Sequence, residues 1–369
     1  MHNKSIQTYF DCGYSKIRAG VFIESNQKNV LYNESKFSLN HPHSHKEIQN
    51  IVSSLEKDSN EYIDSINLMI DSLKMLSIGI SISKKLDGHI LKNADINFLI
   101  LEAKQQISKN YRDHNILHII INNYKINGVD YSDLPTNSEC NLISLDILFI
   151  CLPSETVLNF KKIFSNFNIL INQTICSSYA KSIYYKSNLN LNGNISFIDV
   201  GYDKTSIISF FNDKLLSLDI LPIGGNHITK DISKILNIDL EQSETIKINF
   251  TKNKKIVNED NFSIEKIQKI IFSRIEEILE LSVKSIKSNS FKYDHFRMIL
   301  TGGGSRVFNN SFKNKISLLK NVELIEDNTE DICQSGFKLA MGLNKQEVVL
   351  VPKKQIKQGF FEKLFHFFK

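Results

Sequence analysis

Three short glycine-containing turns have a pattern that suits phosphate binding. They are Asp11-Cys12-Gly13, Asp199-Val200-Gly201 and Gly302-Gly303-Gly304, and an apolar segment precedes each one. A tight turn that leaves a strand points successive backbone N–H groups into one concavity, and glycine allows a ligand to approach closely. Two such turns facing each other can hold a polyphosphate from both sides, and the third, opening toward a helix, can receive a nucleoside.

The acidic residues of the first two turns suit a metal ion. Asp11 and Asp199 end their strands, where a carboxylate can hold magnesium through the water of its hydration shell. Each turn alone is a weak signal, because Asp-x-Gly also occurs in plain turns and a glycine triplet also serves close strand-to-helix packing. The order of all three along one chain favours a nucleotide site.

The opening pattern recurs about halfway along the chain. Residues 195–201 repeat the apolar strand, Asp, variable residue and Gly of residues 8–13. This repetition predicts a duplicated two-lobed α/β fold. Residues 84–146 break the alternation with a short helix, a strand and a polar stretch, which predicts an inserted α+β domain. The alternative is one continuous domain with a long loop.

Apolar spacing predicts the elements around these turns. Apolar residues three or four positions apart predict helices over residues 48–55, 63–73 and 264–286. Alternating Ile with Gly or Ser predicts a strand over residues 77–83.

Composition excludes several protein classes. With 41% hydrophobic and 23% charged residues, the chain is globular and not disordered. A net charge of +5 permits anionic partners without requiring nucleic acid. The 5 scattered cysteines, with no CxxC pair, argue against a disulfide framework or a zinc site and favour a reducing compartment. Neither a signal peptide nor a run of about 20 apolar residues is found, so we expect neither secretion nor a membrane span.

Several segments resemble a known superfamily. Residues 11–16 and 199–205 resemble the two phosphate loops of the actin, heat-shock chaperone and sugar kinase superfamily, and residues 300–304 resemble its adenosine loop. Within that superfamily, residues 223–232 and 243–247 are similar to FtsA, the bacterial cell-division family. The insertion lies where that family carries its extra subdomain, and a short amphipathic C-terminal helix after a linker is also a family trait. The resemblance covers nearly the whole chain.

The resemblance implies an actin-like two-lobed α/β fold with a small α+β subdomain inserted in the first lobe and a C-terminal amphipathic helix. The implied first lobe comprises residues 1–83 and 153–190, around an inserted subdomain of residues 84–152. The second lobe comprises residues 191–222 and 289–343 and carries a small subdomain of residues 223–288. A linker of residues 344–358 leads to a membrane-targeting helix of residues 359–369.

The resemblance also implies ATP and Mg²⁺ as cofactors. The implied nucleotide-binding residues are Asp11, Gly13, Ser15, Lys16, Asp199, Gly201, Thr205, Gly225, Glu244, Lys247, Gly302, Gly303 and Gly304. Asp11 and Asp199 are the implied magnesium-side carboxylates. Glu244 and Lys247, which flank the adenine and ribose in the family, are three residues apart and share a helix face.

The phosphate loops depart from the family pattern. Tyr14 and Tyr202 follow the loop glycines where the family has small residues, and Asp203 and Lys204 replace further small residues. A tyrosine does not allow the close backbone approach that glycine allows, and the Asp203 carboxylate repels a phosphate unless a metal intervenes. We therefore expect altered nucleotide binding and at most slow ATPase activity, because no residue qualifies as a general base. The alternative is a fold that keeps the shape and has lost the ligand.

The last eleven residues form an amphipathic pattern. On a helix, six apolar side chains fall within an arc of about 160°, with Lys363 among the polar residues opposite. They are Phe360, Phe361, Leu364, Phe365, Phe367 and Phe368. About 16 Å of helix is too short to cross a bilayer, so this segment is expected to lie in the membrane interface. Docking on the protein's own core or in a partner's groove are the alternatives.

The resemblance implies an adaptor for cell division. Such a protein is expected to bind ATP, to self-associate and to tether the FtsZ ring to the anionic cytoplasmic face of the inner membrane at the division site, without nucleic acid. Self-association is favoured independently, because a single tail binds marginally and several tails on one assembly bind firmly. The alternatives are a pilus-assembly relative of FtsA, or a small-molecule kinase or ATPase of the same superfamily.

Overall fold

The computed structural model describes residues 6–23, 31–35, 44–135, 138–251, 263–289, 296–308 and 322–348. The strands are β1 (Ile6–Cys12), β2 (Ile17–Ile23), β3 (Leu31–Ser35), β4 (Ser65–Ile70), β5 (Leu76–Ile90), β6 (His114–Ile126), β7 (Val129–Tyr131), β8 (Glu139–Pro153), β9 (Leu170–Cys176), β10 (Ile195–Val200), β11 (Thr205–Phe211), β12 (Lys214–Leu221), β13 (Arg297–Thr301) and β14 (Val322–Leu324). The helices are α1 (Ser44–Ser59), α2 (Asn93–Asn110), α3 (Ser154–Ser165), α4 (Ser177–Asn188), α5 (Gly225–Leu236), α6 (Leu240–Thr251), α7 (Ile264–Asn289) and α8 (Thr329–Ala340).

Two five-stranded sheets share one topology, as the repeated pattern predicts. Their strand orders are β3-β2-β1-β4-β9 and β12-β11-β10-β13-β14. In each, the first three strands in chain order form an antiparallel meander: β1 pairs with β2 and β2 with β3, as β10 pairs with β11 and β11 with β12. In each, two further strands add in parallel beside the first strand. The turns that follow β1 and β10 therefore occupy equivalent positions in the two halves.

A third, four-stranded antiparallel sheet has the order β5-β8-β6-β7. Helix α2 covers one face of it, and its buried Leu99 and Ala103 join a separate core with Ile119 and Phe149. This unit lies in the chain between β4 and α3, where an insertion is predicted. Strand β5 already belongs to it, because Leu76 pairs with Cys151, so the predicted strand at residues 77–83 is part of this sheet.

One predicted helix is wrong. Residues 63–73 contain the strand β4, which lies between β1 and β9 and runs parallel to both. Ile66, Leu68 and Met69 are fully buried there. Ile66, Met69 and Ile70 are three and four residues apart, so this short strand also matches helical spacing. The predicted helices over residues 48–55 and 264–286 are confirmed as α1 and α7.

The last described residues run along the third sheet. The N–H of Ile121 donates to the carbonyl of Gln346 at 2.8 Å, and the N–H of Val348 donates to the carbonyl of Ile119 at 2.8 Å. Residues 346–348 thus pair with an edge of β6. Among the helices in the described ranges, none is long and apolar enough to cross a membrane.

Candidate functional site

The first two predicted turns are equivalent four-residue hairpin loops. In the first, the N–H of Gly13 donates to the carbonyl of Lys16 at 2.9 Å. In the second, the N–H of Gly201 donates to the carbonyl of Lys204 at 2.9 Å. Both loops read Gly-Tyr-x-Lys, so the repetition extends past the Asp-x-Gly pattern into the loops themselves.

The third turn packs directly on the second. Strand β13 ends at Thr301, and Gly302 has a φ of +91°, a conformation that favours glycine. A 3-10 turn, Gly303–Val307, follows. A Cβ on Gly304 would lie 2.7 Å from the carbonyl oxygen of Gly201, so this close approach also requires glycine.

The start of helix α5 closes one side of the second turn. The N–H of Gly225 donates to the carbonyl of Gly201 at 2.9 Å, and the N–H of Asn226 donates to the carbonyl of Tyr202 at 2.7 Å. Buried Thr205 donates its hydroxyl to the carbonyl of Ile223 at 2.7 Å, which fixes the segment that enters α5. Thr205 therefore supports the turn through the backbone.

Helix α6 places its predicted pair against the same segment. Lys247 Nζ lies 2.7 Å from Glu244 Oε2, and donates to the carbonyl of Gly225 at 3.0 Å and to Thr229 Oγ1 at 2.8 Å. Burial lowers the pKa of Lys247, and attraction to Glu244 offsets part of that effect. The structure thus brings Gly225, Glu244 and Lys247 together beside the second and third turns.

Helix α4 connects the two halves of the site. Ser177 donates to Asp11 Oδ1 at 2.6 Å, and Lys181 Nζ lies 2.6 Å from Asp199 Oδ2. Ser177 and Lys181 are four residues apart, so they occupy neighbouring positions on one helix face. The two predicted strand-end carboxylates therefore meet opposite ends of a single helical turn.

Each of these carboxylates is paired with a cation of the protein. Asp11 Oδ2 accepts from Arg18 Nη1 at 2.9 Å. Lys181 bridges Asp199 and Asp327, with 2.7 Å to Asp327 Oδ2. Burial by itself lowers the pKa of Lys181, but the two carboxylates outweigh it and raise that pKa. Burial raises the pKa of Asp199 to about 6, helped by repulsion from Asp327 and opposed by Lys181.

Lys204 reaches from the second loop across to the first lobe. Its ammonium donates to the backbone carbonyl of Asp71 and lies 5.2 Å from the centre of the Tyr14 ring. Burial lowers the pKa of Lys204, against the attraction of Asp71 and the more distant acidic groups. Lys204 and Tyr14 thus lie between the two hairpin loops.

The other loop residues point elsewhere. Lys16 pairs with Glu34 at 2.6 Å on strand β3. Asp203 Oδ1 accepts from the amide of Asn226 at 2.8 Å at the start of α5. Ser15 lies in the first loop, between Tyr14 and Lys16.

The donor set does not fit the implied Mg²⁺. Asp11 and Asp199 each form a charged hydrogen bond inside the protein, so a divalent ion, bound directly or through its hydration water, would compete with a guanidinium or ammonium already in place. Within the described ranges, no group of three or more His, Cys, Asp or Glu side chains is arranged to hold a metal ion. We therefore assign no role to a metal at these carboxylates.

Sequence reasoning missed the two cations that pair with the predicted aspartates. Arg18 and Lys181 pair with the two predicted aspartates, and Asp327 joins Lys181 from the segment before α8. The sequence offers one signal for Lys181, which is the only charged residue in the run of residues 177–185. The structure shows that this whole run is buried. The predicted membrane residues, Phe360, Phe361, Lys363, Leu364, Phe365, Phe367 and Phe368, lie outside the described residues.

Sequence comparisons point to one family. The family model of Cell division protein FtsA matches residues 196–343. The FtsA of Buchnera aphidicola subsp. Baizongia pistaciae is 28% identical over 285 residues, which cover 70% of this chain and 67% of that protein. The FtsA of Agrobacterium fabrum is 22% identical over 275 residues, which cover 69% of this chain and 62% of that protein. The match thus spans about two thirds or less of these relatives' own length.

Solved structures show the same architecture. A PilM–PilN type IV pilus biogenesis complex matches with a TM-score of 0.61 and 14% identity, over 91% of this chain and 97% of that chain. The ethanolamine utilization protein EutJ from Carboxydothermus hydrogenoformans matches with a TM-score of 0.50 and 14% identity, over 91% of this chain and 89% of that chain. At this identity the likeness concerns the fold alone.

The duplicated sheets and these structural neighbours establish an actin-like ATPase fold. The family model and the curated relatives confirm the resemblance that the glycine turns and residues 223–247 indicate. Over residues 196–343 the chain is similar to the bacterial cell-division protein FtsA, and its fold is that of the actin-like ATPases.

Proposed function

We propose that this protein is a division adaptor that binds ATP between its lobes, self-associates and tethers the FtsZ ring to the cytoplasmic membrane during septum assembly. The observation that carries the nucleotide part is the convergence of the turns on helix α4 and helix α5. The FtsA relatives supply the cell-division context.

The cleft offers suitable groups for a nucleotide. The N–H groups of Gly13 and Gly201 donate within their loops, so we assign the phosphates to the remaining N–H groups of the two hairpin loops, because such turns attract anions. The turn at Gly302, Gly303 and Gly304 lies beside Gly225, Glu244 and Lys247, which suit the nucleoside end. Because α4 contacts Asp11 in one lobe and Asp199 in the other, a ligand between the loops stabilises one relative arrangement of the lobes.

Membrane attachment is proposed from the sequence of residues 359–369. Their apolar face suits an interfacial helix, and nearby lysines add attraction to anionic lipid. A polymer of many copies multiplies such tails, which suits a peripheral location on the inner membrane at the division site.

Two alternatives are less well supported. A kinase needs a free carboxylate as the base near a substrate hydroxyl, whereas Asp11, Asp199 and Asp327 all form charged pairs. A pilus-assembly role rests on the likeness to the PilM–PilN complex, which concerns the fold, whereas the curated sequence relatives named above are FtsA proteins.

The test is ATP binding by calorimetry, with a substitution that blocks the adenosine turn. A Cβ on Gly303 meets no atom within 4 Å, so Gly303→Leu is expected to fold and to fill space that the nucleoside needs. Gly79 on β5 is equally open and lies in the third sheet, so Gly79→Leu is the matched control. We expect ATP to bind the wild type and the control, and Gly303→Leu to lose about tenfold or more in affinity. Absence of binding to the wild type would overturn the nucleotide part of the proposal.

A further inference from the structure

The cleft carries fixed cations at the places where the superfamily resemblance implies a metal. Arg18 neutralises Asp11 at 2.9 Å, and Lys181 neutralises Asp199 at 2.6 Å. Both aspartates are largely buried, with side-chain exposures of 9% and 12%. A divalent ion at either carboxylate would therefore compete with a buried charged hydrogen bond and be repelled by the cation that forms it.

A third cation is placed differently. Lys204 lies in the second hairpin loop, and its ammonium is held by the Asp71 carbonyl and by the face of the Tyr14 ring. Among the residues that the structure describes, no carboxylate comes within 4.0 Å of this ammonium. Asp71 and more distant acidic groups attract this ammonium without forming a close ion pair, and the Asp71 carbonyl uses only one of its three N–H donors.

This geometry suits a phosphate group. The Lys204 ammonium lies between the second hairpin loop and Tyr14 of the first. The N–H groups of Gly13 and Gly201 already donate within their own loops, so Lys204 is the charged side-chain donor between them. A compact ammonium beside such a loop is a well-known way of holding phosphate oxygens. The loop position that in this superfamily carries a small residue thus carries a cation in this chain.

We propose that the cleft binds its nucleoside polyphosphate without a divalent metal, with Lys204 as the cation on the phosphates while Arg18 and Lys181 neutralise Asp11 and Asp199. This inference rests on the proposed function, because it concerns the same site. It adds which group neutralises the negative charge of the phosphates, which the proposed function leaves open.

The experiment measures ATP affinity by calorimetry on the full chain, once with excess Mg²⁺ and once with excess EDTA. The proposal predicts binding in EDTA that is equal to or tighter than binding in Mg²⁺. Lys204→Met removes the charge at similar length and should lose about tenfold to a hundredfold in affinity in EDTA. Lys204→Arg keeps the charge and should retain most of the affinity, and exposed Lys230→Met on α5 is the matched control.

The outcomes separate the two proposals. Binding that requires Mg²⁺, or wild-type affinity in Lys204→Met, overturns the metal-free site and leaves ATP binding intact. Absence of heat in both buffers overturns ATP binding itself, and the metal-free site with it. Thermal unfolding of each variant shows whether a lost signal reflects lost folding, and Lys204→Arg decides the question if Lys204→Met does not fold.

Discussion

At the scale of single residues, the site depends on how one buried ammonium serves two carboxylates. Lys181 is 6% exposed and lies within 2.7 Å of both Asp199 and Asp327. Asp327 also accepts hydrogen bonds from Tyr185 at 2.9 Å and from the N–H of Gly302 at 3.1 Å. The turn at Gly302 is thereby tied to the same charge cluster as the second hairpin loop.

Loss of this ammonium should be severe. Lys181→Met keeps the length of the side chain and leaves two buried carboxylates without a counter-charge, so we expect the free energy of unfolding to fall by about 3–5 kcal/mol. Urea unfolding measures this change, and Lys230→Met on the exposed face of α5 serves as the control. The freed carboxylates should also attract Mg²⁺, so added Mg²⁺ should raise the Tm of Lys181→Met more than that of the wild type. Equal stability of variant and wild type would contradict the charge-cluster interpretation.

The sequence predicts the acidic and glycine residues of the cleft but not their cations. The Asp and Gly positions follow from a local rule, since a turn after a strand needs them within a few residues of one another. Asp199 pairs with Lys181 on α4, and Lys181 also pairs with Asp327 in the segment before α8. Only the folded chain brings these three residues together. Whether the cleft holds a nucleotide stays a prediction.

At the scale of elements, residues 346–348 are fixed both to the inserted sheet and to α4. Glu347 Oε1 lies 2.6 Å from His118 Nδ1 on β6, and Tyr179 on α4 donates to Glu347 Oε2 at 3.2 Å. The N–H of Cys176 donates to His118 Nε2 at 2.9 Å, so Nε2 is the acceptor and Nδ1 carries the proton given to Glu347. Helix α4, which contacts Asp11 and Asp199, therefore also holds residues 346–348 through Glu347.

Removal of the Glu347 carboxylate should loosen the pairing of residues 346–348 with β6. Glu347→Ala leaves buried His118 and Tyr179 with unmet hydrogen bonds, so we expect a loss of about 1–3 kcal/mol in the free energy of unfolding. Hydrogen exchange at the Ile121 amide, which donates to Gln346, should accelerate, because the β6 edge opens. Glu139→Ala, at an exposed position that begins β8, should leave that amide unchanged. Unaltered exchange in Glu347→Ala would show that the backbone pairing alone holds the segment.

At the scale of the whole molecule, the two-lobed fold could be predicted because the chain repeats one strand-and-turn pattern. A repeated strand, Asp and Gly pattern identified two equivalent halves, and the two five-stranded sheets have matching orders. The prediction for residues 63–73 is wrong because burial alternates only over the first four residues of β4, and the added apolar residues Met69 and Ile70 give the segment helical spacing. The pairing of residues 346–348 with β6 joins segments more than 200 residues apart, and no local pattern announces such a contact.

We predict that membrane attachment depends on many copies of residues 359–369 binding together, because one copy alone binds weakly. Six apolar side chains contribute about 9 kcal/mol at about 1.5 kcal/mol each, and ordering eleven residues costs about 1 kcal/mol or more per residue. Because these terms nearly cancel, assembled protein should float with anionic vesicles, whereas a chain ending at residue 358 should stay in the lower fraction. Phe365→Glu places a charge in the apolar face and should lose most of the flotation, while His366→Gln on the polar face should float as the wild type does. If the shortened chain floats equally well, the membrane contact lies elsewhere on the body, and the pilus-assembly alternative, which needs no such tail, gains support.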